Sequence, residues 1–383
     1  MGDVLISLQN NTLSRADLSN KSGVAKNVHY GDVLIKFGEV LDVSKEQLPM
    51  ILDESVLIKY KASFLQNGDV IVADTAEDST VGKCSEIAGL NDEVILSGLH
   101  TIPYRPIEKF ATGYLGYYLN SGAYHNQLIP LMQGIKVTSI SKSAMQDTDI
   151  IYPKSKEEQA KIGKYFQSLD HLITLHQREC EQAKKYKKYM LQKMFPQNGS
   201  NVPEIRFSGF THPWEQRKVS DLLVERNDQA PMSDEYPLMA FIANQGVAPK
   251  GERYDRSALV NDEVGKKYKR TEYGDFIYSS NNLETGSIGL NKYGNACISP
   301  VYSIFKPTGV ADLDFLGRRF LRKDFINEMV KWRQGVVYGQ WKIHEADFLK
   351  IEVTVPSKEE QKKIGQYLDN LDDLITLHQH KPI

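Results

Sequence analysis

The residue types that usually carry covalent or metal chemistry are sparse in this sequence. The three cysteines, Cys84, Cys180 and Cys297, stand far apart and form no Cys-x-x-Cys pair. This spacing excludes a disulfide framework and a structural zinc site. His171 and His176 are five residues apart on a predicted helix, which does not place both on the one helical face that metal binding requires. The sequence therefore predicts no metal site.

The motifs of common catalytic sites are also missing from the sequence. It contains no G-x-x-x-x-G-K-[ST] phosphate loop, no G-x-S-x-G and no H-E-x-x-H. The Pro-Pro pair that an adenine methyltransferase motif needs does not occur either. The sequence thus favours a protein that is not an enzyme. The alternative is a stand-alone nuclease or methyltransferase whose active site has an unrecognised form.

A basic and aromatic stretch in the second half of the chain is a better candidate, and its chemistry would be binding. Between Arg318 and Lys342, seven Lys or Arg residues stand against two acidic residues. Basic side chains neutralise phosphates, and amide and aromatic side chains can contact bases. The segment 334–342 (QGVVYGQWK) contains two glycines, two amides and two aromatic residues. This composition suits an exposed reading loop better than a core segment.

The candidate nucleic-acid-binding residues lie at corresponding places in the two halves of the chain. Those in the second half are Arg333, Gln334, Tyr338, Gln340, Trp341 and Lys342, and those in the first half are Arg105 and Lys136. The alternative is that the charges form the solvated side of a helix and that the aromatic residues belong to the core. For any single residue that alternative is the more common case.

An internal repeat indicates which elements would position these residues. Residues 155–177 (SKEEQAKIGKYFQSLDHLITLHQ) and 357–379 (SKEEQKKIGQYLDNLDDLITLHQ) are identical at 17 of 23 positions. Weaker matches upstream keep the same order, for example Gly68-Asp69 with Gly274-Asp275. The intervening segments differ in sequence and length. The chain therefore contains two units, each with a divergent globular part followed by a nearly constant segment.

The constant segment has the signals of a long helix. Ser155 and Ser357 each stand three residues before a glutamate, which is the spacing of a capping box. Apolar residues then recur every four and three residues, which is typical of a coiled-coil seam. Residues 155–194 would extend roughly 60 Å as a helix, longer than such a domain is wide, so the second helix is the expected cover. The predicted pairing residues are Ile162, Phe166, Leu169 and Ile173 in the first helix and Ile364, Leu368, Leu371 and Ile375 in the second.

The globular parts read as mixtures of short strands and helices. We predict strands at 31–37, 67–74, 273–280 and 296–307, and a helix from Asp312 to Trp332. The fold class is therefore α+β, with two tandem mixed α/β domains that are each followed by a long helix.

The overall composition limits the cellular setting of the protein. The chain has 383 residues, 41% of them hydrophobic, with a formal charge of −2. It has no secretory signal pattern and no run of 18 apolar residues, so we expect a cytoplasmic protein without a membrane span. A near-neutral charge argues mildly against nucleic acid as a ligand, but it averages over basic and acidic stretches.

The repeat and its flanking text resemble the specificity subunit of type I restriction-modification enzymes. The matching text comprises 203–223 (PEIRFSGFTHPWEQRKVSDLL) and the pattern P-x-x-x-E-E-Q-x-x-I that begins at Pro153. The resemblance extends over essentially the whole chain. It implies a first target-recognition domain at 1–153, a central helix at 154–195, a linker at 196–202, a second recognition domain at 203–355 and a C-terminal helix at 356–383. Relative to a full two-unit subunit, the chain would be shortened at both ends.

The resemblance also implies a function. Each recognition domain would read one half of a bipartite site in double-stranded DNA. The two helices would pair antiparallel, set the spacing and dock modification (methyltransferase) subunits, and motor-nuclease restriction subunits would complete the complex. S-adenosylmethionine, ATP and Mg²⁺ would then belong to the partners, and this chain would bind no cofactor. A structural coiled-coil scaffold that binds no DNA is a further alternative.

Overall fold

A computed structural model of the chain describes residues 1–197, 199–249, 266–336 and 340–379. The chain divides into two compact units, Met1–Leu175 and His176–Ile383. One long helix, α6 (Lys156–Lys193), begins in the first unit and ends in the second. Each unit combines short strands with short helices, which confirms the predicted α+β class.

The first unit is built on two small mixed sheets. Its strands are β1 (Leu5–Ser7), β2 (Leu18–Ser19), β3 (Ala25–Val28), β4 (Val40–Asp42), β5 (Met50–Ile51), β6 (Val70–Ala73), β7 (Thr75–Ala76), β8 (Cys84–Ala88), β9 (Ile95–Ser97), β10 (Thr101–Pro106) and β11 (Thr138–Ser139). Its helices are α1 (Tyr30–Ile35), α2 (Ser55–Lys59), α3 (Tyr114–Asn120), α4 (Gly122–His125) and α5 (Lys142–Gln146). The sheet orders are β1-β10-β6-β8-β4 and β2-β5-β3-β9, and β7 pairs with β11. The pairs β3–β9 and β4–β8 are parallel.

The second unit has smaller sheets, whose strands all pair antiparallel in the described residues. Its strands are β12 (Glu215–Lys218), β13 (Leu223–Glu225), β14 (Gln229–Ala230), β15 (Ala240–Ile242), β16 (Gly246–Ala248), β17 (Tyr268–Thr271), β18 (Phe276–Tyr278), β19 (Ile288–Leu290), β20 (Ala296–Ile298), β21 (Ser303–Pro307), β22 (Gln334–Val336), β23 (Gln340–Lys342) and β24 (Glu352–Val355). Its helices are α7 (Val219–Leu222), α8 (Leu313–Phe320), α9 (Lys323–Val330), α10 (Glu345–Phe348) and α11 (Lys358–Gln379). The main sheet order is β13-β21-β18-β19.

The two units share one sheet topology although their sequences have diverged. In the first unit the neighbouring strands β1, β10, β6 and β8 follow the order first, fourth, second and third along the chain. The strands β13, β21, β18 and β19 repeat this order in the second unit. Each of these sheets packs its buried strand residues into a hydrophobic core of its own unit. The weak upstream matches between the two halves of the sequence therefore reflect one repeated plan.

The prediction of a strand at 31–37 is wrong, because most of these residues belong to helix α1. Val33 and Phe37 are buried and Leu34 is half-buried, whereas Ile35 is 89% exposed. Burial at positions 33, 34 and 37 follows a helical period, since a strand would bury every second residue. The ring nitrogen of His29 accepts the Gly31 N–H at 3.1 Å and caps the helix.

The helix predicted from Asp312 to Trp332 is divided into α8 and α9. The Asp312 carboxylate accepts the Phe315 N–H at 3.0 Å and caps α8 as an N-cap aspartate should. Arg322 then adopts an extended conformation, with φ −70° and ψ 143°, which ends one helix and begins the next. Its guanidinium lies over the ring of Phe195, which belongs to the core of the same unit.

A buried glutamine attaches each constant helix to the globular part of the chain that precedes it. Gln159 Oε1 accepts the Ala111 N–H at 3.1 Å, and Gln361 Oε1 accepts the Asp312 N–H at 2.9 Å. Each glutamine also donates to the carbonyl of the proline that precedes the helix, Pro153 or Pro356. Because both side-chain groups are satisfied in a buried place, they fix the angle at which the helix leaves its domain. This role explains the identical SKEEQ text in the two copies.

The capping boxes form only in part. The hydroxyl of Ser155 accepts the Glu158 N–H at 3.3 Å, and that of Ser357 accepts the Glu360 N–H at 3.4 Å. The reciprocal bond, in which the glutamate carboxylate would accept the serine N–H, is replaced in the second copy, because Glu360 is buried and forms a bidentate pair with Arg206.

In the part of the chain that the structure describes, no helix has the length and apolar character needed to cross a bilayer.

Candidate nucleic-acid interface

The segment predicted as a reading loop forms a β-hairpin. Strands β22 and β23 pair with Gln334 opposite Lys342, Gly335 opposite Trp341 and Val336 opposite Gln340. The side chains of Gln334 and Gln340 are exposed, and Trp341 is 49% exposed. Tyr338, the remaining aromatic candidate, lies outside the described residues. The hairpin thus presents amide and indole groups to solvent on a backbone that its own hydrogen bonds hold in place.

A polar loop that follows strand β18 supports the base of this hairpin. The Asn281 side chain accepts the Trp341 N–H at 2.6 Å, and the Ser280 hydroxyl accepts the Ile343 N–H at 3.0 Å. Ile343 is fully buried. Because the hairpin is fixed to a strand of the main sheet in this way, Gln340 and Trp341 project from a rigid base.

The two basic candidates of the hairpin region are paired with carboxylates. Arg333 forms a bidentate pair with Glu284, with N–O distances of 2.7 and 2.6 Å. This pairing lowers the pKa of Glu284. Lys342 Nζ lies 2.6 Å from Glu345. Both cations can hold the hairpin in place, and their contribution to phosphate binding stays a prediction.

Sequence reasoning missed the supporting loop 279–286. Asn281 and Glu284 belong to it, and they orient the hairpin through the hydrogen bonds described above. The sequence does indicate this loop, because the polar run SSNNLETG directly follows the buried strand β18. A polar loop at the end of a core strand is a common place for binding residues.

The first unit places a loop at the equivalent position. Gln133 and Ser139 form a backbone bridge, and the next strand pairing joins β11 to β7. Lys136 is exposed, and no ion pair involves it among the described residues. Ile135 is fully exposed. This loop differs from the hairpin in sequence and length, so the two units present different side chains at the same place in one topology.

Arg105, the other candidate in the first unit, is held inside its own sheet. Its guanidinium donates to both carboxylate oxygens of Asp69, at 3.0 and 2.7 Å, and to the Phe64 carbonyl at 2.7 Å. Asp69 is 1% exposed and also accepts the Gln66 N–H at 2.8 Å. In the second unit Asp275, the counterpart of Asp69 in the repeat, pairs at 2.9 Å with Arg226, which follows β13 and comes from a different strand. The geometry assigns Arg105 a structural role, with three of its donors already used.

The residues predicted to pair the helices mainly contact the domain cores. Ile162 packs against the core of the first unit, and Phe166 stacks on Tyr117 with a centroid separation of 5.4 Å. Leu169, Ile173 and Ile375 are half-buried. Ile364 and Leu368 lie in the core of the second unit, and Leu371 packs against it. The first turns of each seam therefore cover a domain because the glutamine contact fixes them there.

Helices α6 and α11 pack together, antiparallel, through the distal half of α6. The Tyr367 hydroxyl donates to that of Tyr186 at 2.9 Å, and Cys180 Sγ lies 4.0 Å from the Ile375 carbonyl oxygen. Lys187 hydrogen-bonds to Asp372. Residue numbers that rise on one helix and fall on the other establish the direction, so the predicted antiparallel pairing is confirmed.

Asp372 is expected to stabilise this helix pair. It accepts hydrogen bonds from Lys187 and from Arg318. Burial acts to raise the pKa of Asp372, but these two cations outweigh it and hold the pKa below its usual value. We expect D372N to lower the free energy of unfolding of this unit by about 1 kcal/mol, a modest value because the carboxylate is 40% exposed. Urea unfolding with D373N, an exposed neighbour on the same helix, as control would measure it, and equal effects of the two variants would contradict the assignment.

The three cysteines are buried, and burial raises the pKa of the Cys84 and Cys297 thiols, so they are poor nucleophiles. Residues of metal-binding type gather at one place in the described part of the chain, where His176, Glu179 and His378 meet on the helix pair.

Comparisons with known proteins agree with this architecture. The sequence model of the family described as "Type I restriction modification DNA specificity domain" matches residues 8–185 and 213–383. The chain is 23% identical over 356 residues to "Putative type I restriction enzyme MjaX specificity subunit" from Methanocaldococcus jannaschii, a match that covers 90% of this chain and 78% of that protein.

A solved structure shows the same fold. The S subunit of a type I restriction-modification system from M. genitalium superposes with a TM-score of 0.53 at 12% identity, covering 99% of this chain and 89% of that one. The HsdS subunit from Thermoanaerobacter tengcongensis gives a TM-score of 0.49 at 16% identity, covering 100% and 90%. With two copies of the family domain and helices that pair as described, this chain belongs to the type I restriction-modification DNA specificity family, whose members recognise DNA and leave catalysis to other subunits.

Proposed function

We propose that this chain reads a bipartite site in double-stranded DNA, with one half-site bound by each unit. The main support for this proposal is that the same sheet topology presents a different exposed segment in each unit. In the first unit it is the loop 133–139, and in the second it is the pair of hairpin strands with exposed Gln334, Gln340 and Trp341. Because their side chains differ, the two half-sites should have different sequences.

In the second unit, Gln340 and Trp341 would contact the bases of the half-site. A glutamine amide can bind the adenine edge in the major groove through two hydrogen bonds. The indole offers an apolar face for a thymine methyl group or a sugar. Both side chains are exposed on a hairpin whose base is fixed. In the first unit, Lys136 supplies a free cation for a phosphate or a guanine.

The second part of the proposed function belongs to the two constant helices, α6 and α11. Helix α6 has 38 residues and would span about 57 Å. We propose that α6 and α11 fix the spacing between the half-sites and dock modification subunits. Chemistry would then belong to partners, which are modification subunits that use S-adenosylmethionine and motor-nuclease subunits that use ATP and Mg²⁺. Such a complex would work in the cytoplasm, where it meets the DNA.

Selection from a random duplex library with the purified full chain tests the proposed recognition of a bipartite DNA site. We expect an enriched motif with two conserved blocks separated by a spacer of fixed length. The logarithm of the affinity should fall linearly with the logarithm of salt concentration, because phosphate contacts release counterions. One contiguous motif would contradict two-unit reading, and DNA cleavage or methylation by the chain alone would favour the enzyme alternative.

A further inference from the structure

Three potential metal ligands converge where α6 and α11 cross. His176 and Glu179 lie on α6, and His378 lies on α11. The Glu179 carboxylate oxygen Oε2 lies 3.3 Å from His176 Nδ1 and 3.4 Å from His378 Nδ1. One ligand atom from each of the three residues lies within 4.8 Å of the ligand atoms of the other two.

Two of the three separations among these atoms match the edge of a tetrahedral metal site. Bonds from Zn²⁺ to histidine nitrogen or carboxylate oxygen are about 2.1 Å long, so two ligands of a tetrahedral ion lie about 3.4 Å apart. The two distances to Glu179 Oε2 agree with that edge. Three protein ligands would leave one position for water, as in other three-ligand zinc sites.

The Nδ1 atoms of both histidines are available as ligands. Both Nδ1 atoms are buried, and neither has a hydrogen-bond partner among the described residues. Each faces Glu179 at a distance suited to electrostatic contact, but not in the alignment of a hydrogen bond. A buried polar atom without a partner normally costs free energy, and a shared cation would satisfy both nitrogens and the carboxylate at once.

The repeat explains why two histidines meet here. His176 and His378 occupy the same position in the two copies of the constant segment. When two equivalent helices pair antiparallel, one position along them lies opposite its own copy. The Tyr186–Tyr367 and Cys180–Ile375 contacts place that position close to residues 176 and 378. Glu179 lies one turn further along α6, on the same face as His176.

We propose that His176, Glu179 and His378 bind one Zn²⁺ ion, which joins α6 to α11. Imidazole nitrogen and carboxylate oxygen are ligands that zinc accepts. The ion would stabilise the helix pair by binding the folded chain in preference to the unfolded chain. This site is separate from the DNA-reading hairpin, so the proposal does not depend on the proposed function.

Zinc titration of the metal-free full chain, in competition with a chromogenic chelator, tests the proposal. We expect one high-affinity equivalent of Zn²⁺ per chain and a rise in the melting temperature with added Zn²⁺. H176Q, E179Q and H378Q should each weaken binding at least about tenfold. H171Q, which removes an exposed histidine from the same helix, should bind as the unchanged chain does. Co²⁺ bound at this site should show the intense visible absorption of tetrahedral coordination.

Two results would overturn the proposal. One is a chain that does not bind Zn²⁺ at micromolar concentrations. The other is equal binding by H378Q and H171Q, which would mean that surface histidines bind the metal adventitiously. Glutamine suits a helix and preserves polarity, so these variants should fold, and circular dichroism of each variant would verify this.

Discussion

Replacing Gln340 and Trp341 together with alanine is expected to weaken binding of the specific DNA site about 30-fold or more. Each lost contact to a base edge costs about 1–3 kcal/mol, so two contacts account for an effect of this size. The hairpin itself should persist, because its ladder and the Trp341 N–H bond to Asn281 use backbone groups. Competition binding against nonspecific duplex DNA measures the change.

Tyr293→Ala is the matched control for this pair. Tyr293 is an exposed aromatic residue of the same unit, 47% accessible, in a turn outside the hairpin. We expect it to bind DNA as the unchanged chain does. If Q340A/W341A kept the full affinity for the specific site, the hairpin would not be the reading element of the second unit.

Arg105→Ala is expected to destabilise the first unit by about 3 kcal/mol. The variant would leave the Asp69 carboxylate buried without its cation, and breaking one side of a buried pair is costly. Burial already raises the pKa of Asp69, although the hydrogen bond from Arg105 partly offsets this. A raised pKa means that the fold favours the protonated acid. The loss in R105A should therefore be full at about pH 7 and smaller at about pH 5.

Urea unfolding at both pH values checks this prediction. Arg15→Ala serves as control, because Arg15 is exposed and its pair with Asp32, at 3.3 Å, lies in the same unit. It should cost less than about 1 kcal/mol. If R105A folded as stably as the unchanged chain but lost DNA affinity, Arg105 would be a DNA contact, as the sequence suggests, and its structural role would be wrong.

The elements that repeat in the sequence were the most predictable. Seventeen identities in 23 positions fixed the two constant helices, because a helical seam and its cap are local signals. The pairing of the two helices followed from the length of the first, and its antiparallel direction followed from the resemblance. The residues that make contact did not follow in full, since Ile364 and Leu368 share one core cluster with their own domain, with Met190 of α6 and with Met194 just after it. Periodicity identifies an apolar face but does not identify what covers it.

The candidate site was predictable in place and less so in detail. The composition of 334–342 distinguished an exposed segment from core, and the structure exposes Gln334, Gln340 and Trp341 there. The partners of Arg333 and Arg105 could not be predicted, because Glu284 and Asp69 are distant in sequence and reach them only through strand order. The meeting of His176 with His378 likewise depends on helix direction, which spacing within one helix does not reveal.

The methylation pattern of a host that carries this chain and its modification subunits shows whether the two units read separate half-sites. The measurement compares the unchanged chain with two variants, Q340A/W341A in the second unit and Gln133→Ala with Lys136→Ala in the first. We expect one bipartite motif for the unchanged chain, and in each variant a loss or relaxation of sequence preference in one half only, with a different half for each. Two-unit reading would be contradicted if both variants altered the same half, or if the motif had a single block.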